Sequence, residues 1–174
     1  MKMKGTVVKC MEELVTKKFG VEKWKQSLKN AGLPENRFFT TGEDVAELEI
    51  LGIMKGIATA AALSMDQVNE AFGEYWSSVY APALYDVYFA KAKSTREMLL
   101  NLDQIHVAMT RTIKNARPPR FTYEWKGDYT LVMQYDSSRG MVALMPGLIR
   151  GLGKYYKDKP KVTVSGNALQ VQFA

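Results

Sequence analysis

The sequence predicts an α+β chain, with a helical N-terminal half followed by helices and a small antiparallel sheet. Three observations lead there. Up to about residue 113 the apolar residues recur at three- and four-residue spacing, the period of helices with one buried face. Beyond "NARPPR" the pattern changes to the strands "RFTYEW" and "YTLVMQY", joined by "KGD". A second pair, "KVTVSGNALQVQF", turns about Gly166 and Asn167 and closes the chain.

The elements follow in order. "TVVKCMEELVTKKFG" aligns Val8, Met11, Val15 and Phe19 on one helical face and stops at Gly20. "VEKWKQSLKNAG" makes a short second helix with Trp24 and Leu28 inward, ending at Gly32 ahead of Pro34. "TTGEDVAELEILGIMKGIATAAAL" reads as a third, longer helix, rich in small residues and acidic near its start, where the helix dipole favours carboxylates. Ser64 and Gln67 form a capping box that opens a helix toward Tyr80, its inward face carrying Val68, Phe72, Trp76 and Val79. Pro82 interrupts, and the aromatic "APALYDVYFAKAK" leaves its structure open. Ser94 and Glu97 form a second capping box. Its helix ends near "NARPPR", because a residue before proline is driven out of the helical region. "GMVALMPGLIRGLGKYYK" lines up Leu144, Leu148 and Leu152, with Pro146 inside the helix and bending it. The expected organisation is a helical subdomain over 1–65 packed on an α/β subdomain over 66–174.

Composition narrows the function. At 174 residues, 47% hydrophobic and 24% charged, the chain can bury a real core. No uninterrupted apolar run is long enough to cross a bilayer. The N-terminus meets Glu12 and Glu13 too soon for a signal-peptide core, so the expected location is cytoplasmic. Cys10, the sole cysteine, allows no internal disulfide and no cysteine-rich zinc site. The net charge of +6 raises nucleic acid as a partner. The lysines are scattered among acids, however, with no winged-helix, zinc-finger or RNA-recognition signature, which reads as a solvated basic surface. A nucleophile elbow and a phosphate-binding loop are both missing, and the one histidine and one cysteine are far apart, which argues against an enzyme.

That histidine is His106, in "NLDQIHVAMTRTI". Leu102, Ile105, Met109 and Ile113 share one face of the helix, and His106 lies beside Ile105, pointing inward. Taken alone, such a histidine is more often a satisfied core residue than a ligand. A second feature lies downstream in "YDSSRG". Tyr135 and Ser137 are two apart on a strand and face one way, and Arg139 follows where the strand ends. Phenol, hydroxyl and guanidinium make a donor cluster for carboxylates, with Arg the side chain best shaped for them. The competing reading, a surface arginine beside a core tyrosine, stands at even weight for so short a pattern. An inward histidine and a carboxylate clamp in the same half are what a haem b with two propionates requires. A bis-histidine haem is excluded, so the iron would be five-coordinate with a position open to a gas.

Here the sequence resembles the haem nitric oxide/oxygen-binding (H-NOX) domains. The likeness runs over nearly the whole chain, from "MKGTVV" through "AFGEYW" and "NLDQIHVAMTRTIKNARPPRF" to "YDSSRG" and "PGLIRGLGKYY". It implies haem buried between the two halves, with His106 as the proximal iron ligand and Tyr135, Ser137 and Arg139 as the propionate clamp. Pro119 would be the proline that presses on the porphyrin. It also implies a sensor in which ligand binding changes the pull on His106 and the helical N-terminal half shifts. Histidine kinases, diguanylate cyclases and chemotaxis receptors are the implied partners.

The family's oxygen-holding members carry a tyrosine, a tryptophan and an asparagine around the gas. The matching positions here are Leu144, Met11 and Trp76. The expected pocket is therefore apolar, formed by Val7, Met11, Trp76 and Leu144 with Leu148 behind, and suited to NO and CO. Tyr80, a turn after Trp76, is the residue able to reverse this by supplying a donor, in which case the chain would be an oxygen sensor. A haem-free module for an apolar ligand is the third reading, and it would have no use for an imidazole at position 106.

Overall fold

The computed structural model describes residues 2–174. It divides into two compact units, one ending at Phe72 and the other running Gly73–Ala174.

In the first unit, β1 (Lys2–Lys4) pairs antiparallel with β2 (Asp44–Ala46). The Lys4 ammonium lies 2.6 Å from the Asp44 carboxylate across the pair. Three helices accompany this ribbon: α1 (Thr6–Phe19), α2 (Val21–Asn30) and α3 (Glu47–Ala61). Of the face expected on α1, Val8, Met11 and Val15 are buried beside Trp24, Leu28, Ile50 and Ile53, whereas Phe19, the last residue of the helix, is 41% exposed. Two boundaries differ from expectation. α2 stops at Asn30, before Gly32, and Asp44–Ala46, which the sequence assigns to the third helix, is a strand. A three-residue strand is too short for an alternating pattern to register, and its partner is about forty residues away.

α4 (Met65–Tyr75) begins as the capping box predicts. Gln67 N–H donates to Ser64 Oγ at 3.2 Å, and Ser64 N–H donates to Gln67 Oε1 at 2.8 Å. The helix then passes into a π-helical turn, Trp76–Tyr80. The wider turn rotates the following side chains. Val68 and Phe72 are buried as expected, but Val79 is 43% exposed and Ser77 takes the inward place. Pro82 falls in the first turn of α5 (Ala81–Leu84), and α6 (Asp86–Lys91) follows, so the aromatic stretch is two short helices.

The second unit is built on a four-stranded antiparallel sheet in the order β3-β4-β6-β5: β3 (Arg120–Lys126), β4 (Thr130–Asp136), β5 (Lys161–Ser165) and β6 (Ala168–Gln172). Both expected hairpins are present, and β4 joins them through β6. Alternate residues Leu131, Met133 and Tyr135 of β4 are buried with Leu169 and Val171 of β6. They pack with Met98 and Leu99 of α7 (Thr95–Thr112) and Ile149 and Leu152 of α8 (Met145–Tyr156). Pro146 does not bend α8. It sits in the first turn, where the missing N–H has no partner to lose, and a 3-10 turn, Met141–Leu144, leads in. α7 starts at the Ser94 cap, which accepts from Glu97 N–H. Asp158, from the segment after α8, also holds this end, accepting from Thr95 N–H at 2.8 Å and Thr95 Oγ1–H at 2.6 Å.

The units meet in sequence at Phe72/Gly73, within α4 and later than residue 65. The last turn of that helix, from Gly73, belongs to the sheet-bearing unit because of its glycine contacts. A Cβ on Gly73 would lie 2.6 Å from Leu148 N and 2.8 Å from Leu144 O, and one on Gly151 would lie 2.5 Å from Glu74 O. Backbones this close require glycine at both places.

Candidate functional site

His106 stands in the middle of α7, half-buried, with Leu102, Ile105, Met109 and Ile113 half-buried around it. The sequence expected a face sunk in the core. The fully buried residues of α7 are Thr95, Met98 and Leu99, a turn or more nearer the N-terminus. The imidazole Nδ1 lies 2.8 Å from the Pro119 carbonyl oxygen. A carbonyl only accepts, so Nδ1 carries the proton and Nε2 keeps its lone pair. Burial pushes the ring below its ordinary pKa, which keeps it neutral and able to bind a metal.

Next to this bond is a group the sequence reading passed over. Asp103, one turn before His106 on the same face, accepts from Arg120 Nε–H and Nη2–H, each at 2.7 Å, and from Phe121 N–H at 2.9 Å. The Arg120 fork and the amide hold its carboxyl down at about 2. The i, i+3 spacing of an acid and the lone histidine was the available signal.

Tyr135, Ser137 and Arg139, the residues of the expected clamp, lie at the end of β4 and in the turn after it. Tyr135 is buried, pairs across the sheet with Phe121, and meets that ring edge-on at 5.8 Å. Phe121 in turn lies 5.8 Å from the His106 ring. β4 ends at Asp136, so Ser137 belongs to a tight turn and not to the strand: Ser137 Oγ accepts from Arg139 N–H at 3.3 Å, and Ser137 O from Gly140 N–H at 3.3 Å. Arg139 reaches the proline segment, donating Nη1–H to Arg117 O at 2.6 Å. His106, Pro119, Tyr135, Ser137 and Arg139 are thus linked through the 117–121 segment.

Three of the expected pocket residues share another part of the second unit. Gly73 lets α4 rest on the backbone of Leu144 and Leu148, and Trp76 is one turn beyond Gly73. Leu144 is buried, while Leu148 and Trp76 are half-buried. Tyr80 stacks on Trp76 with ring centroids 5.6 Å apart. Val7 and Met11 belong to α1 of the first unit. Val7 is half-buried, and Met11 lines a cavity of about 160 Å³ with Leu14, Val15, Ile57, Val68 and Phe72. Cys10 is buried, and burial pushes its thiol up, which makes it unreactive. Among the described residues no group of three or more His, Cys, Asp or Glu side chains could hold a bare metal ion. No single helix there is long and apolar enough to cross a membrane.

The sequence model of the family described as Haem-NO-binding matches residues 4–164. The chain belongs to that family. It is a haem-binding gas-sensor domain, related to the haem domain of soluble guanylate cyclases, and not a catalyst. Soluble guanylate cyclase gcy-37 of Caenorhabditis elegans is 27% identical over 145 residues, 81% of this chain and 20% of that protein. Gcy-34 of the same organism is 21% identical over 156 residues, 87% of this chain and 23% of that protein. The chain thus spans about a fifth of the length of these relatives. Among solved structures, an H-NOX protein from S. oneidensis in the Fe(II)NO ligation state superposes with a TM-score of 0.85 at 17% identity, covering 97% of each chain. An oxygen-binding H-NOX domain, solved as its oxygen complex, superposes at 0.80 with 23% identity over 98% of this chain and 95% of that one. Both likenesses establish the fold. One was solved with NO and the other with oxygen, so the choice of gas must be argued from this chain's own residues.

Proposed function

We propose that the haem-NO-binding domain is a sensor for nitric oxide, with CO as a second ligand, in which His106 is the axial iron ligand. The observation that carries this reading is the His106–Pro119 hydrogen bond. It fixes a neutral ring with Nε2 unprotonated, the form an iron ligand must have. The rest of the donor set fits the group. Haem is a planar dicarboxylate, and the half-buried apolar residues flanking His106 offer a surface for the ring. Tyr135, Ser137 and Arg139 offer two hydroxyls and a cation for the propionates. Pro119, which supplies the carbonyl, would be the residue set against the ring. Cys10 is buried and the chain has no C-x-x-C-H pattern of the kind that attaches haem covalently, which supports haem b.

When bound, haem supplies a ferrous iron with one position for a diatomic gas. Selectivity then depends on the side chains around that position. Oxygen draws partial negative charge and gains from a donor, worth about 1.5–3 kcal/mol when the acceptor is charged, whereas NO needs none. Leu144, Leu148, Val7 and Met11 have no donor, and Trp76 has only its indole N–H, which supports NO over oxygen. The two units would be the parts whose relative movement carries the signal, to a histidine kinase, a diguanylate cyclase or a chemotaxis receptor in the cytoplasm.

The test is ligation. Purified protein is expected to show a Soret band, and His106→Gly is expected to lose the iron–histidine stretch in resonance Raman and to recover a five-coordinate ferrous spectrum on adding free imidazole. An unchanged stretch in that variant would show that another residue binds the iron.

A further inference from the structure

His106 does not hold Pro119 alone. Four hydrogen bonds tie residues 119–121 to one turn of α7: His106 Nδ1–H to Pro119 O, and Arg120 Nε–H, Arg120 Nη2–H and Phe121 N–H to the Asp103 carboxylate. Asp103 and His106 are three apart and face the same way. The bonds therefore close a ring, from Asp103 along α7 to His106, across to Pro119, and back through Arg120 and Phe121. We propose that Asp103 is the positioning residue for His106, acting through the Pro119 carbonyl.

The physical chain is short. Pro119 has its φ fixed by the pyrrolidine ring, so the direction of its carbonyl is set by the peptide that follows. That peptide leads into Arg120 and Phe121, both pinned by Asp103. The fork-to-carboxylate pair is bidentate, which fixes orientation as well as distance. Carbonyl direction governs the strength of the Nδ1–H bond, and that bond governs both ring rotation and the electron density that Nε2 can give. Asp103 would thereby tune how firmly His106 holds iron. This rests on the reading of His106 as the iron ligand.

The experiment compares iron–histidine stretching bands by resonance Raman in the ferrous, haem-loaded protein. Asp103→Asn keeps the size but loses the charge and half of the fork, and its band is expected to move to lower frequency and broaden. Asp103→Glu, which keeps the carboxylate, is expected to recover part of the shift. Asp158→Asn is the control. Asp158 also caps α7, through Thr95, but at the far end from His106, so its loss is expected to lower Tm and leave the band in place. If Asp103→Asn yields no folded protein, Arg120→Lys replaces it, keeping the charge and losing the fork, with a smaller shift in the same direction. A band that stays fixed in the Asp103 or Arg120 variant, or that moves equally in Asp158→Asn, overturns the proposal. If the wild-type band survives in His106→Gly, the ligand assignment itself fails, an outcome separate from a failure of Asp103 to matter.

Discussion

Arg139 shows how a single side chain can be aimed by its neighbours before any ligand arrives. Its Nη1–H donates to Arg117 O, which ties the guanidinium to the proline segment, while its backbone N–H donates to Ser137 Oγ and holds the turn after β4. A fork held this way loses less freedom on binding a carboxylate than a free side chain would. Arg139→Ala is expected to cost on the order of 2 kcal/mol in haem affinity, the worth of one charge-assisted bond. Arg139→Lys is expected to fall between, because an ammonium cannot form the fork. Transfer of haem to apomyoglobin measures this directly, and equal transfer rates across the three proteins would remove Arg139 from the clamp. Single residues were also the most legible part of the site. Histidine is scarce enough here for one copy to be conspicuous, and Y-x-S-x-R is a compact pattern. Asp103 and Arg117 were not visible in that way. Asp103 had only its three-residue spacing to His106 to set it apart from many other acids, and its partner stands on a strand 17 residues away, while Arg117 contributes a backbone carbonyl, which leaves no mark on side-chain type.

At the scale of elements, the seam between α4 and α8 sets the spacing of Trp76, Leu144 and Leu148. A Cβ on Gly151 would lie 2.5 Å from Glu74 O, near the end of α4, and 2.9 Å from Ser77 Cβ, in the π turn that follows. Gly151→Ala is therefore expected to destabilise the protein by about 1–3 kcal/mol, the usual cost of overpacking. Gly42→Ala, where nothing lies within 4 Å, should fall within about 0.5 kcal/mol of the parent. Denaturant melts of the two variants decide it, and matching midpoints would mean that the seam yields freely. The elements divide by how local their causes are. Both capping boxes and both hairpins were legible because each signal lies within a few residues of its effect. The π turn was not, since "WSSVY" carries helical spacing and only the approach of α8 at Gly151 exposes the wider turn. The same limit explains Pro146. Its effect depends on whether a helix starts before or after it, and that boundary is set by the 3-10 turn ahead.

At the scale of the whole molecule, the chain divides into two compact units, one helical with a two-stranded ribbon and one sheet-bearing, and belongs to the haem-NO-binding family. The fold class was legible because period 3.6 and period 2 occupy separate stretches of the chain, whereas the division at Phe72/Gly73 was displaced because it falls inside one continuous helix. On the proposed reading gas choice depends on residues from several elements, which makes it the property furthest from local pattern. The most direct measurement is the visible spectrum of the ferrous protein mixed in turn with CO, NO and air. CO and NO are each expected to shift the Soret band, with the NO spectrum wholly or partly five-coordinate, and air is expected to leave the ferrous spectrum in place apart from slow oxidation. A stable new spectrum in air would contradict the account, and its loss in Tyr80→Phe would name the donor.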